Sequence, residues 1–306
     1  MTRRAGKSSS DLEGKVGTRW YLWLTRSTSV VFYCIDPSRS AAVPGAHFAG
    51  LQGQRVIIVC DRYSAYKKLA RLAENILLAF CWAHVRRDFL EAGRALPALE
   101  DWALQWKARI ATLYHLNQQR LAHWDPERPV AEQGGGFQQP HAALQAALAD
   151  MRSEAERLLA QDTTEAALPK TAYVRRNKVL SSLLTHWSGL TVFVAHPEVP
   201  MDNNRAEETI RTPVCGRKNY YGYGSIWSAQ LAAMLFSIFQ TLALWGMNPR
   251  AWLSAYLSAC AEAGGQAPSD LERFLPWSMD AARRAELCRP AALANATESP
   301  PGIDSS

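Results

Sequence analysis

Five consecutive apolar residues, Val56-Ile57-Ile58-Val59-Cys60, stop abruptly at Asp61. A run without polar alternation suits a strand buried on both faces, and such strands sit in sheets covered by helices. Helical spacing follows at Tyr66, Leu69 and Leu72-Ala73, and Ile76–Phe80 reads as a second buried strand. Upstream, Trp20–Leu24 and Val30–Ile35 are rich in aromatic and β-branched residues. With Arg26, Ser27 and Thr28 between them they predict a β-hairpin. A short helix is expected near Ala46–Leu51. Hairpin, helix, strand, helix, strand is an α/β layer pattern.

From Trp82 to Trp187 the chain turns rich in Ala, Leu, Gln and Arg, and its spacing predicts three to five helices between strand-rich parts. The segment 125–140 holds Gly134-Gly135-Gly136 and three prolines, and reads as a flexible loop. Val192–Val194 reads as a short strand. Asp202-Asn203-Asn204 offers helix N-cap residues, with Pro213 expected to end the helix that follows. A long apolar helix is predicted from Ser228 to Trp245, closed by Gly246, with another over Trp252–Ala263.

Bulk properties narrow the classes. The basic, polar start MTRRAGKSSSDLEGKVG is followed by no apolar segment, so it does not read as a signal peptide. The most apolar stretch, Leu231–Trp245, falls short of the ~20 residues of a membrane span and reads as a buried helix. Six cysteines are scattered without a Cys-x-x-Cys pair, which argues against a disulfide framework and for a reducing cytoplasm. A formal net charge of +6 fits a polyanionic partner without requiring one.

A few residues have chemical potential. Asp61, at the carboxyl end of a buried strand, can hold a hard cation such as Mg²⁺, or it can cap the helix that follows. Glu207 lies near the positive end of a helix, where it can serve chemistry or simply favour the helix dipole and pair with Arg211. Cys81 and His84 could be half a zinc site, but no second pair with ligand spacing follows, and His84 suits the crevice beside Asp61 or a satisfied core position. Basic clusters occur at Arg86-Arg87, at Arg175-Arg176 with Lys178, and at Arg217-Lys218 before Tyr220-Tyr221. Each can grip phosphates or simply be solvated.

Taken together, CDRYSAYKKLA from Cys60, FCWAHVRRDF at 80–89, DNNRAEETIR at 202–211 and GRKNYYGYGS at 216–225 resemble the DDE transposases of the insertion sequence 66 family. The likeness runs from about Gly14 through LPWSM at 275–279. The resemblance implies an RNase H-like fold with a large α-helical insertion and C-terminal helices. It implies that Asp61 is the second catalytic aspartate and Glu207 the terminal glutamate, with two Mg²⁺ (or Mn²⁺) ions between carboxylates. Cys81 and His84 match an accessory motif, and Arg86, Arg87, Arg205, Arg211, Arg217 and Lys218 become DNA-contacting candidates. The implied partner is DNA at the terminal inverted repeats of an insertion sequence. A homo-oligomer is compatible, a membrane is not expected, and the implied location is the bacterial cytoplasm, with the nucleoid.

One departure from the pattern stands out. The family carries an Asp-Glu-Thr segment on a first, central strand shortly before the residues seen here as Gly14-Lys15-Val16-Gly17 and Trp20-Tyr21-Leu22-Trp23, and only Ser8–Glu13 precedes them. The expectation is therefore a mixed sheet lacking its first strand, in an N-terminally truncated transposase with little or no strand-transfer activity. The alternative is a catalytically dead DNA-binding or regulatory remnant. The expected organisation is a disordered start over 1–18, a first core part over 19–89, the helical insertion over 90–190, a second core part over 191–247 carrying the glutamate helix, a C-terminal helical segment over 248–289 and a disordered tail over 290–306.

Overall fold

The structure, a computed structural model, describes residues 2–7, 19–51, 53–219 and 225–288, with only the backbone described for 2–7, 19 and 217–219. The strands are β1 (Thr2–Lys7), β2 (Arg19–Arg26), β3 (Val31–Asp36), β4 (Val56–Cys60) and β5 (Ile76–Phe80). The helices are α1 (Ala42–Phe48), α2 (Ser64–Leu72), α3 (Trp82–Ala95), α4 (Glu100–Leu121), α5 (Gly135–Ala160), α6 (Lys170–Thr185), α7 (Trp187–Leu190), α8 (Val192–Ala195), α9 (Asn204–Asn219), α10 (Ile226–Leu244), α11 (Pro249–Glu262) and α12 (Ala281–Cys288). Two compact units result, residues 1–4 with 36–212 and residues 5–35 with 213–306. The class is mixed α/β. The strands fall into a three-stranded and a two-stranded sheet, where the sequence predicted one mixed sheet.

In the first unit, β4 and β5 pair in parallel and in register, from Val56 opposite Ile76 to Cys60 opposite Phe80. The crossover is α2, which buries Ala65, Tyr66 and Leu69. Helices α3 to α6 form a helical body, within the number expected. Phe89 of α3 stacks on Trp106 of α4 at 4.7 Å, with Trp102 tilted at 5.0 Å. Two glycines permit close approach. A Cβ on Gly93 would fall 2.7 Å from that of Ala103, and one on Gly189 of α7 would run into the Phe80 ring.

Three local expectations are corrected in this unit. The glycine-rich stretch is not a simple loop: α5 begins at Gly135, and the Gln133 side chain accepts from Asp125 N and donates to the Asp125 and Arg128 carbonyls. Val192–Val194 is helical rather than a strand. The Phe193 and Val194 carbonyls accept from the Arg120 guanidinium at 2.5 and 2.9 Å instead of from a neighbouring strand. Helix α9 continues through Pro213. A proline removes one helical hydrogen bond and bends a helix, but need not end it.

Arg120 is the most unusual core residue. It is fully buried, and its guanidinium also bonds Asn117 Oδ1 and His141 Nδ1, with the Phe137 and Phe193 rings 5.6 Å away. Burial pulls its pKa down to about 10. Every acceptor named here is neutral, so the charge is stabilised by fixed dipoles and ring faces.

The second unit contains β2, nearly all of β3 and the last half of β1, in the sheet ordered β1-β2-β3. A strand at Thr2–Lys7 thus precedes the hairpin, where the sequence predicted none; residues 8–18 lie outside the described residues. In the β2–β3 turn Ser27 Oγ accepts from Ser29 N and Val30 N. The outer edge of β3 is taken up by α10. Thr241 Oγ1 accepts from Val31 N at 3.0 Å and donates to Val31 O at 3.1 Å. Ser237 Oγ accepts from Tyr33 N at 2.8 Å, and Trp245 Nε1 donates to Ser29 O at 2.9 Å. Four helical residues rise about 6 Å. Two strand residues span about 6.6 Å, so side chains four apart on a helix match alternate residues of an edge strand.

Helix α10 is only partly covered, against the expectation of a buried helix: Trp227 is 68% exposed and Met234 52%. By length and hydropathy alone it could cross a membrane, but its Ser237 and Thr241 hydroxyls are engaged with β3. Ser225 caps its start in a capping box with Ser228, and Gly246 at φ 66° ends it, as predicted. Asn248 caps α11, and Trp252, Tyr256 and Phe274 form an aromatic cluster beneath. The tail from 289 on lies outside the described residues.

Replacing Thr241 with Val removes both bonds to buried edge groups at unchanged shape. It should cost about 1–3 kcal/mol in urea unfolding of the chain. Arg120→Ala, which strands four acceptors, should cost about 3–5 kcal/mol, and Arg120→Lys should recover only part because an ammonium lacks the planar fork. Both His141 and His186 are held below the ordinary histidine pKa by burial first, and then by Arg120 and by Lys67 respectively. As pH falls through the ordinary histidine value of 6.5, the unfolded chain takes up more protons than the folded one, so stability should drop. Thermal melts from neutral to mildly acidic pH should show this slope, and His141→Gln with His186→Gln should flatten it.

Candidate active site

The parallel register brings two chain exits together. With Cys60 opposite Phe80, the next residues, Asp61 and Cys81, leave side by side from the carboxyl ends of β4 and β5. Cys81 N donates to Cys60 O at 3.2 Å, extending the ladder by one step. Asp61 closes a tight turn, its Oδ1 accepting from Tyr63 N at 3.1 Å. The N-cap of α2 is Tyr63, which makes no side-chain cap, so Asp61 forms the turn before the helix and does not cap it.

Cys81 is buried at the start of α3, and burial pushes its thiol pKa up. Amides of Asn203, His84 and Ala83 donate toward the sulfur and oppose that rise. Trp82 N donates to Met201 O at 2.9 Å, which joins the start of α3 to the approach to α9. The Asn203 carbonyl accepts from Ala206 N and Glu207 N, fixing the first turn of α9. The result is a direct contact. His84 Nε2 lies 3.3 Å from Glu207 Oε1, with side chains 21% and 26% exposed. His84 Nδ1 is buried without a hydrogen-bond partner in the protein. A proton on Nε2 lets the imidazole donate to Glu207.

Asp61 and Cys81 thus leave the ends of β4 and β5 side by side, and His84, three residues after Cys81, meets Glu207, although 146 positions separate Asp61 from Glu207 (207 − 61). Among the described residues no group of three or more His, Cys, Asp or Glu side chains could hold a metal, so a closed zinc site has no ligand set there. Asp61 and Glu207 carry the charged oxygen donors that a hard cation such as Mg²⁺ prefers. They fall one acid short of the set expected for two.

Of the basic candidates, Arg86 and Arg87 are exposed on α3, and Arg205 and Arg211 are exposed on α9. Arg217 and Lys218 lie on the last turn of α9 with side chains outside the described residues, as does the whole segment 220–224. In the cluster Arg175-Arg176 with Lys178, Lys178 is exposed and Arg175 partly so, but Arg176 is turned inward. Arg176 is buried and donates to Leu158 O and Gln161 Oε1.

Three contacts around the site are invisible to sequence reasoning. Arg62 bridges Asp88 of α3 and Ser182 of α6, the latter at 2.9 Å. Lys67 Nζ lies 3.3 Å from His186 Nε2, whose Nδ1 faces Ser182 O. Tyr114 of α4 donates to Asp202 Oδ2 at 2.9 Å, while Asp202 Oδ1 accepts from Asn204 N. In sequence Asp202 is only a helix cap, and nothing in the spacing pairs it with a tyrosine 88 positions earlier.

No solved structure matches the chain. Three uncharacterized proteins of Sinorhizobium fredii (strain NBRC 101917 / NGR234) are similar to it. They are y4jD (27% identical over 264 residues), y4hP (26% over 270) and y4qI (27% over 258). The matches cover 85%, 86% and 82% of this chain but 47%, 46% and 44% of the relatives, so the chain spans a little under half of their length. The family model described as Transposase IS66 family matches residues 9–231, most of the sequence, and the chain belongs to that family.

Proposed function

We propose that the chain is the catalytic core of a DNA transposase, in which Asp61 and Glu207 hold a divalent cation against a phosphate of the terminal inverted repeats. One observation carries this reading: two acids far apart in sequence flank the same Cys81–His84 turn. A Mg²⁺ or Mn²⁺ ion there would supply Lewis acidity toward the attacking and leaving oxygens of a phosphodiester. The protein's own groups do the rest. His84 orients Glu207, the Asp61 turn orients its carboxylate, and exposed Arg86, Arg87, Arg205 and Arg211 offer charge to the DNA backbone.

The same reading takes the sheets as parts of an RNase H-like core. The family's first strand is expected between the hairpin and β4, whereas β1 pairs with β2 at the edge of the three-stranded sheet and its sequence TRRAGK has no carboxylate. We therefore expect weak strand cleavage from the chain acting alone. That shortfall also favours a second reading, a DNA-binding or regulatory protein of transposase descent.

Binding and cleavage of terminal-repeat DNA separate the two. Binding should weaken steeply with salt, and Arg86→Ala with Arg87→Ala should lower the log–log slope by about 1 for each phosphate no longer neutralised. In Mn²⁺, any nicking should fall at least tenfold with Asp61→Asn or Glu207→Gln. Salt-dependent binding with no nicking in either metal would favour the regulatory reading. Nicking that survives both substitutions would refute the catalytic assignment.

A further inference from the structure

The helical body of the first unit reaches the candidate site through two polar contacts, one toward each carboxylate. From α4, the Tyr114 hydroxyl donates to Asp202 Oδ2 at 2.9 Å. Asp202 passes the constraint on, because its other oxygen accepts from the backbone of Asn204, the first residue of α9. Glu207 sits in the first turns of that helix. Asp202 is thus engaged at both oxygens by groups that set where α9 begins. Burial first, and then the Asp202 charge, push the Tyr114 phenol pKa up, so the hydroxyl stays a donor.

From α6, the Ser182 hydroxyl accepts from Arg62 at 2.9 Å, and the same guanidinium pairs with Asp88 of α3. Arg62 follows Asp61 directly, and its side chain is only 15% exposed. A planar fork held at two points fixes its own backbone, and with it the turn in which Asp61 Oδ1 accepts from Tyr63 N. Neither contact touches the carboxylate it serves.

We propose that Tyr114 and Arg62 are positioning residues, through which the helical insertion sets the spacing of Glu207 and Asp61. This rests on the cation-binding reading of the site. Catalytic constellations depend on such supporting contacts because a misplacement of about 1 Å can cost about 100-fold in rate. Helices α4 and α6 would then be working parts of the site, and a ligand that moves the insertion would alter cation binding.

The test is Mn²⁺ affinity of the full chain, read by electron paramagnetic resonance of free Mn²⁺, with thermal melts alongside. Tyr114→Phe and Arg62→Lys should each weaken Mn²⁺ binding three- to tenfold, while Asp61→Asn and Glu207→Gln abolish it. Because Tyr114 acts through Asp202, Tyr114→Phe should add nothing further in an Asp202→Ala background, which lacks both acceptors, an epistasis that a general loss of stability does not produce. If the Asp61 and Glu207 variants abolish binding but Tyr114→Phe and Arg62→Lys change only the melting temperature, the positioning role is wrong and the cation site stands. If Mn²⁺ binding survives Asp61→Asn and Glu207→Gln, the cation-binding reading fails, and the positioning role fails with it.

Discussion

The parallel, in-register pairing of β4 with β5 is the constraint from which the site follows. Parallel strands that end together put their next residues in one crevice, and here those residues are Asp61 and Cys81. The pairing also fixes where α3 starts, since Cys81 N is bonded to Cys60 O and α3 begins at Trp82. A slip of one residue would move Cys81, and with it the start of α3, away from its place opposite the end of β4.

The insertion that separates Asp61 from Glu207 is a fastening as much as an interruption. Arg120 reaches from α4 to the Phe193 and Val194 carbonyls just before the approach to α9. Farther on, Trp82 N is bonded to Met201 O. A buried cation held only by neutral acceptors is costly to desolvate, so it persists only where its geometry is fully specified. In the second unit the same logic takes another form, with α10 side chains occupying the edge of β3 that would otherwise be open to another strand.

Much of this is legible in the sequence, and the limits have physical causes. Val56–Cys60 and Ile76–Phe80 declare themselves because an unbroken apolar run has few other homes, and Asp61 stands out as the polar residue that ends one. The hairpin and the Gly246 stop follow from turn and cap chemistry, which is local. Val192–Val194 misleads because a three-residue apolar run has no period to measure, and its partner is an arginine more than 70 positions away. Arg120 and Arg176 look in sequence like solvated charges on amphipathic helices, and only packing reveals them as buried. The spacing of Ser237, Thr241 and Trp245 is visible, but its meaning depends on β3 and the turn before it, which lie 204 to 216 residues earlier. The motif resemblance finds Glu207 and His84 separately; their contact, across 207 − 84 = 123 positions, is a tertiary fact.

The candidate site stands or falls on whether Asp61 and Glu207 serve one cation. A crystal of the chain grown with Mn²⁺, with anomalous diffraction recorded at the manganese edge, addresses this directly. The expected result is an anomalous peak within about 2–2.5 Å of carboxylate oxygens from both residues, consistent with hard-cation coordination. A peak bound to only one of them, or found only elsewhere on the protein, would contradict it.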